Sequence, residues 1–393
     1  MHILLVADGR SPITKRWIQT LLAIDHQVTL VSTYPCQPLE GITDLVILPV
    51  AFATSSGSQV GERRDGKKNL IARFRPFFQT VRYRLGPLTL AGKKSVFVRL
   101  VRKVSPDVVH ALRIPYEGML ARFTPEDVPL ILSTWGNDLT LHAAATARMS
   151  ALTRQALQRA DGLLADCWRD IRLAQSWGFD PAKPHLVVPG NGGLSLSEVD
   201  SLAVSIQKEQ PIQIINPRGM RSYVRNDTFF QSIPLVLERH PEVKFICPSM
   251  AGQPEAEAWV DHLHLQRSVQ LLPYLNQDEL WQEFARSSIS VSVTSHDGTP
   301  NTLLEAMAFG CLPVCGDIES IREWITPGVN GLLADPTDVS ALAEMICLAI
   351  ENEPLREKAA ATNRSLLKER AEVNEIRKAL AAFYQQWCAT GEG

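Results

Sequence analysis

The densest grouping of residues able to do chemistry lies at Ser295-His296-Asp297-Gly298-Thr299-Pro300-Asn301-Thr302-Leu303-Leu304-Glu305-Ala306-Met307-Ala308-Phe309-Gly310. It follows the apolar run Ile289–Val293, so it reads as a loop at a strand C-terminus that leads into a helix. Thr299 suits the N-cap, Pro300 the first helical position and Gly310 the stop. The free amides and positive dipole end of such a helix favour phosphate. Asp297 then lies in the loop and Glu305 about one and a half turns into the helix. Two carboxylates so placed can accept hydrogen bonds from different sets of hydroxyls on one ligand. A capped helix with one solvated glutamate has the same local pattern. A second loop, Asn216–Asp227, brings Arg218, Arg221 and Arg225 after the run Ile212–Ile215. Arginine is the side chain best shaped to hold phosphate oxygens in pairs, although a solvated basic loop shows the same composition.

Short apolar runs alternate with longer amphipathic segments along most of the chain, the pattern of parallel sheets built from βαβ units. Strands are expected at Ile3–Val6, Val28–Val31, Leu45–Leu48, Val108–His110, Leu130–Ser133, Leu163–Ala165 and Leu186–Val188. A second series follows at Ile212–Ile215, Val243–Cys247, Val269–Leu272, Ile289–Val293, Leu312–Cys315 and Leu332–Ala334. Polar residues 195–210 break the rhythm and read as a linker. The expected plan is α/β: a doubly wound domain over 1–194, a second over 211–375, and a helix at 376–393 packing back towards the first. Two such domains facing each other make a cleft, a usual place for a ligand. Residues 51–61, rich in serine and glycine, read as a flexible loop.

The 393 residues carry a formal net charge of -2, with 45% hydrophobic and 21% charged residues, a globular composition that excludes a disordered or fibrous chain. The near balance hides an asymmetry. From Glu62 to Lys103, thirteen bases face two acids, a surplus of +11 that leaves -13 for the remainder. Arg73-Phe74-Arg75-Pro76-Phe77-Phe78 mixes cations with aromatics, and Val96, Phe97, Leu100 and Val101 fall at helical spacing among Lys93–Lys103. That composition suits an interfacial helix on anionic lipid, or a dock for an anionic acceptor; an amphipathic helix packed on its own core is the plain alternative. No nucleic-acid-binding motif accompanies the charge. The seven cysteines are scattered without a C-x2-C pair, and Cys311 and Cys315 lack zinc-site partners, which fits a reducing compartment and no metal site. The start reads as a strand rather than a leader, and no run of eighteen apolar residues is present. The expected location is the cytoplasm, with residues 63–103 touching the membrane face.

Taken together these motifs resemble the retaining, nucleotide-sugar-dependent glycosyltransferases of family 4, which have the GT-B fold. Asp297-x7-Glu305 matches the family's E-x7-E spacing. The run Ala306–Val314 resembles its "EAMA-G-PVV" continuation, Gly328–Asp338 its "G-NGLLV-P-D" stretch, and Asp166 with Pro189–Gly193 its first-domain signatures. The resemblance implies that Glu305 binds the ribose hydroxyls of a nucleotide sugar and Asp297 the donor hexose. Arg218 and Arg225 would neutralise the departing diphosphate. Backbone groups of Gly298, Thr299, Asn301, Thr302 and Leu303 would support sugar and phosphates, and Gly9 would let the diphosphate approach. Aspartate stands at 297 where the family has glutamate, and arginine at 225 where lysine is typical. The histidine that many members carry after the fifth strand is replaced by Trp135-Gly136-Asn137-Asp138. Trp135 and Asp138 are therefore expected on the acceptor side, Asp138 either orienting the acceptor or capping the next helix. His110 ends a strand and is either a third acceptor-side residue or a core histidine.

The chain has no D-x-D, so the resemblance implies a metal-independent hexosyl transfer without a cofactor. The donor is expected to be a UDP-sugar, with a GDP-sugar second. The acceptor is a glycan or lipid-linked hydroxyl, in cell-envelope or exopolysaccharide synthesis. A nucleotide-sugar epimerase and a catalytically silent GT-B subunit are the alternatives.

Overall fold

The computed structural model describes residues 1–51 and 75–387. The loop expected at 51–61 and the Arg73-Phe74 end of the basic stretch fall largely or wholly outside them. All thirteen apolar runs form strands. In the first unit these are β1 (His2–Ala7), β2 (Gln27–Ser32), β3 (Asp44–Ile47), β4 (Val108–Ala111), β5 (Leu130–Ser133), β6 (Gly162–Ala165) and β7 (His185–Val187). They pair in parallel in the order β3-β2-β1-β4-β5-β6-β7. Because helices cover both faces, these strands are apolar on both sides and read as continuous runs rather than alternations. Along β1, Leu4 and Val6 enter one buried cluster, while Ile3, Leu5 and Ala7 enter the cluster on the opposite face.

The second unit contains β8 (Gln213–Ile215), β9 (Lys244–Cys247), β10 (Val269–Leu271), β11 (Ile289–Ser292), β12 (Leu312–Gly316) and β13 (Leu332–Ala334). Their order, β10-β9-β8-β11-β12-β13, repeats the plan of the first. In each sheet the chain winds outwards in one direction, then restarts beside its first strand and winds in the other. The loops after β1 and β4, and those after β8 and β11, therefore diverge at a reversal point, where open α/β sheets bind ligands.

The chain divides into Met1–Gly192 joined by the segment from Ile376 onwards, and Gly193–Glu375. Residues 195–210 are not a linker. Ser195 caps a helix, Leu196–Ala203, by accepting from the Glu198 amide at 3.4 Å. That helix buries Leu196 and Val199 with Trp281 and Phe284 in the core of the second unit. The final helix, Val373–Gln385, places Ile376, Leu380, Phe383 and Tyr384 in the first unit's core beside Trp17 and Leu21.

His110 is fixed by that helix and does not serve an acceptor. Its ring is fully buried, with Nε2 hydrogen-bonded to Ser133 Oγ at 2.8 Å and Nδ1 to the Tyr384 hydroxyl at 2.7 Å. Both nitrogens are occupied, and Trp17 and Tyr384 meet the ring edge to face. Burial pushes its pKa down to about 3 from the ordinary 6.5. The unfolded ring takes up a proton that the folded ring refuses. Stability from the neutral ring is thus complete above pH 6.5 and is lost as pH falls towards 3. The loss for one such group is about 1.4 kcal/mol per pH unit. Urea denaturation from about pH 6 to about pH 4 should show a shallower dependence by that amount in His110→Asn; parallel curves for the two proteins would refute this assignment.

Candidate functional site

In the second unit the two diverging loops are stitched together by backbone hydrogen bonds. The Arg225 amide donates to the Val293 carbonyl at 2.9 Å and the Ser295 amide to the Tyr223 carbonyl at 3.0 Å. This joins the Asn216–Asp227 loop to the Thr294–Pro300 loop. Arg218, only 6% exposed, crosses between them. Its fork pairs with the Asp297 carboxylate and donates to Thr302 Oγ1 at 3.2 Å. Its Nε is buried without a hydrogen-bond partner. The two residues expected to touch separate parts of a donor are instead joined in one ion pair. Arg225 likewise turns onto its own neighbour, donating to Asp227 through Nε at 2.8 Å and Nη2 at 2.6 Å. Hydrogen bonding raises Arg225 above its ordinary value and holds Asp227 below the usual carboxylate range. Arg225 remains about three-tenths exposed, so its outer edge faces water.

The helix Asn301–Ala308 begins one residue later than the capping pattern predicts. Pro300 is the cap residue, extended at φ -67° and ψ 128°. Thr299 lies outside the cap position, and its Oγ1 accepts from Trp324 Nε1 at 2.8 Å. Gly310 does end the helix with a left-handed φ of +68°, where a side chain would be strained. Glu305, 5% exposed, is held from the helix Gln277–Arg286. Its Oε1 accepts from Gln277 Nε2 at 2.6 Å and Trp281 Nε1 at 3.2 Å. Asn276 fixes that helix through a reciprocal capping box with Glu279. The sequence pattern did not point to Gln277 and Trp281. The only signal was their position on the helix that precedes β11.

In the first unit, the Gly9 amide donates to Ser32 Oγ at 3.0 Å. A Cβ on Gly9 would come within 2.5 Å of Cys36 Sγ, so the chain's own loop requires glycine here. Trp135 borders a narrow recess with Trp17, Ser133, Asp166 and Gly190. Asp138 is not available to an acceptor. Its carboxylate is wholly buried and accepts from Arg113 Nη2 at 2.8 Å, the Ile114 amide at 3.0 Å and the Trp135 amide at 3.2 Å. It ties the loops after β4 and β5 together and presents Arg113, whose guanidinium lies 5.3 Å from the Trp135 ring centroid. Asp166, Cys167 and Asp170 bring three potential metal-ligand atoms within 4.8 Å of one another. Arg169 already neutralises Asp170 at 2.6 Å, and burial drives the Cys167 thiol far up. A protonated thiol and an ion-paired carboxylate are poor ligands for a cation.

Two parallel α/β units with loops gathered at the reversal of each sheet define a protein of the GT-B class. Residues 202–366 match the family described as Glycosyl transferases group 1, and residues 10–190 match the Glycosyl transferase 4-like domain. The two matches cover most of the chain, which belongs to the group 1 glycosyl transferases. Trehalose 6-phosphate synthase from Burkholderia multivorans shares the fold at 11% identity over 100% of this chain and 99% of that one, with a TM-score of 0.72. Sucrose-phosphate synthase from Thermosynechococcus elongatus does so at 14% identity over 100% of both chains, TM-score 0.70. HepE of Anabaena, solved with UDP-glucose, aligns at 16% identity over 98% of this chain and 100% of that one, TM-score 0.67. The O-antigen chain mannosyltransferase B of Escherichia coli is 31% identical over 93 residues. That match spans 24% of this chain and 24% of the relative's length.

Trp281→Phe keeps an aromatic ring but removes the five-membered part of the indole, and with it the Nε1 donor to Glu305. The unfolding free energy is expected to fall by about 1–2 kcal/mol, measured by urea denaturation. An unchanged midpoint and slope would show that the bond to Glu305 contributes nothing.

Proposed function

We propose that the chain is a retaining glycosyltransferase that moves a hexose from a nucleoside diphosphate to a hydroxyl of a glycan or lipid-linked acceptor. The observation that carries this reading is the convergence of Arg218, Asp297 and Thr302 at the start of the helix that holds Glu305. In this reading Glu305 takes the ribose hydroxyls, its free orientation removed by Gln277 and Trp281. Asp297 takes hydroxyls of the hexose. The diphosphate meets the Arg218 fork, the water-facing edge of Arg225 and the amides of the first helical turn. As the bond from the anomeric carbon to the diphosphate oxygen breaks, negative charge grows on the leaving group, and these fixed donors stabilise it without reorganising. The acceptor oxygen bonds to the anomeric carbon on the face being vacated, and its proton passes to the departing phosphate. A UDP-sugar is the first-choice donor, supported by the UDP and UDP-glucose complexes of HepE, with a GDP-sugar second. Synthesis of an envelope or exported polysaccharide is the setting that the mannosyltransferase relative suggests.

The described part of the basic stretch supports a contact with anionic membrane from the cytoplasmic side. On the helices Arg75–Ala91 and Lys94–Val104, Phe97 and Val101 are buried in the core, while Leu85, Leu88 and Val96 are exposed. Arg84, Lys94, Arg99 and Lys103 are exposed on the same two helices, and residues 82–104 hold no acid. Exposed aliphatics among unopposed cations suit a headgroup layer. No described helix is long and apolar enough to cross a membrane.

Arg218→Ala should lower nucleoside diphosphate release from a UDP-hexose by about 10²–10³-fold. Glu305→Ala should reduce the rise in melting temperature that UDP produces. Turnover unchanged in both variants would overturn the reading of this site, and a wild type that releases no nucleoside diphosphate would favour a catalytically silent subunit. The combined variant Leu88→Ser, Lys94→Glu, Arg99→Glu should lose flotation with anionic vesicles. Flotation equal to that of the wild type would remove the membrane contact.

A further inference from the structure

The reversal point of the first sheet carries a cationic cluster of its own. Arg10 lies in the loop after β1, Tyr34 after β2, and Tyr116 and Glu117 after β4. Arg82 reaches them from the helix Arg75–Ala91. Its guanidinium lies 4.6 Å from the Tyr116 ring centroid and 5.8 Å from that of Tyr34, and Arg10 covers Tyr34 at 3.7 Å. Tyr116 also donates its hydroxyl to the Arg82 carbonyl at 3.0 Å. One side chain thus fixes both the backbone and the head group of this arginine.

The arrangement is locally unfavourable in three ways. Tyr116 adopts φ +68° and ψ -53°, a conformation that bulky side chains rarely take. Gly86 sits inside the helix, where glycine weakens it, and a Cβ there would come within 2.8 Å of the Tyr116 ring. Arg82 Nε is buried without a hydrogen-bond partner. Arg10 and Arg113 are matched by Asp8 and Asp138, but Arg82 has no ion pair among the described residues. Glu117 nearby is buried and accepts from Thr33 Oγ1 at 2.7 Å, and desolvation pushes its pKa up against the charges of Arg113 and Arg82. A rigid, partly desolvated cation with no ion pair among the described residues calls for an anion from outside.

We propose that Arg82 anchors an acceptor subsite in the first unit that selects a sugar bearing a phosphate or carboxylate. This rests on the glycosyltransferase reading for the word acceptor, not for the anion site itself. The planar fork matches the paired oxygens of either group. Tyr34 and Tyr116 are buried and act through Arg82 as positioning residues. Such an acceptor must come from a reaction that phosphorylates a sugar or oxidises its primary alcohol.

Calorimetric titration of the full chain with glucose 6-phosphate, glucuronate and glucose tests the proposal. Both anionic sugars should bind at least about tenfold more tightly than glucose, and Arg82→Gln should erase that preference. The stronger of the two tells phosphate from carboxylate. Arg82→Lys keeps the charge but loses the fork and should retain part of the preference. Wild type that does not discriminate, or a preference undiminished in Arg82→Gln, overturns the proposal. UDP titrated into the same samples separates the two readings. Arg82→Gln that binds UDP like the wild type is folded, so its loss of anion preference supports the subsite. Wild type that ignores UDP and GDP yet prefers anionic sugars sinks the donor reading and leaves the anion site standing. If Arg82→Gln melts below the assay temperature, Arg82→Lys decides, since wild-type affinity for both anions in that variant refutes a role for the fork.

Discussion

A parallel sheet sends the loop after every strand to the same edge, and two neighbouring loops part only where the strand order reverses. Both units obey this constraint, and what is chemically notable in each lies at that one place. In the second unit Arg218 follows β8 and Asp297 follows β11, the strands on either side of the reversal. In the first, Arg10 follows β1 and Tyr116 follows β4. Residues far apart in sequence meet there because topology leaves them no other place to go. The apolar runs that build the sheets are therefore the first cause of the sites, and the charged residues occupy what the sheets leave open.

Charge at these edges is handled differently in the two units. A buried ion is tolerated when a partner of opposite sign and good geometry accompanies it. Arg218 has Asp297, Arg225 has Asp227, and Arg113 has Asp138. Asp297 and Asp227 are thus built-in anions where a diphosphate is proposed to sit. A donor must add to, or compete with, carboxylates already in place. Arg82 departs from this pattern, since aromatic faces rather than a carboxylate hold it.

Much of the fold was legible because strands buried on both faces announce themselves as unbroken apolar runs. The helix Leu196–Ala203 was missed because it is short and its apolar stripe is only Leu196, Val199 and Leu202 amid polar neighbours. The site was legible as a set of residues but not as a set of partnerships. Nothing local told that Thr299 would serve Trp324, or that Asp138 would be spent on Arg113 and two amides. His110 is the extreme case, since its partner Tyr384 lies 274 residues away. Residue type and spacing predict which loop a side chain occupies; tertiary contact decides whether that side chain is still free.

The return of the last helix to the first unit has a consequence for how the molecule is made. Ile376, Leu380, Phe383 and Tyr384 belong to the core that Ile3, Leu5 and Trp17 begin. On the ribosome, domains fold broadly in the order they emerge. Here the unit begun first must wait, with that face of its sheet uncovered, until all of Gly193–Glu375 has been synthesised. The second unit holds all its own strands and can close before the first is complete. A nascent chain stalled short of Tyr384 would expose apolar surface and leave His110 without one of its two partners, so the final helix acts as the closing step of a core started at residue 2.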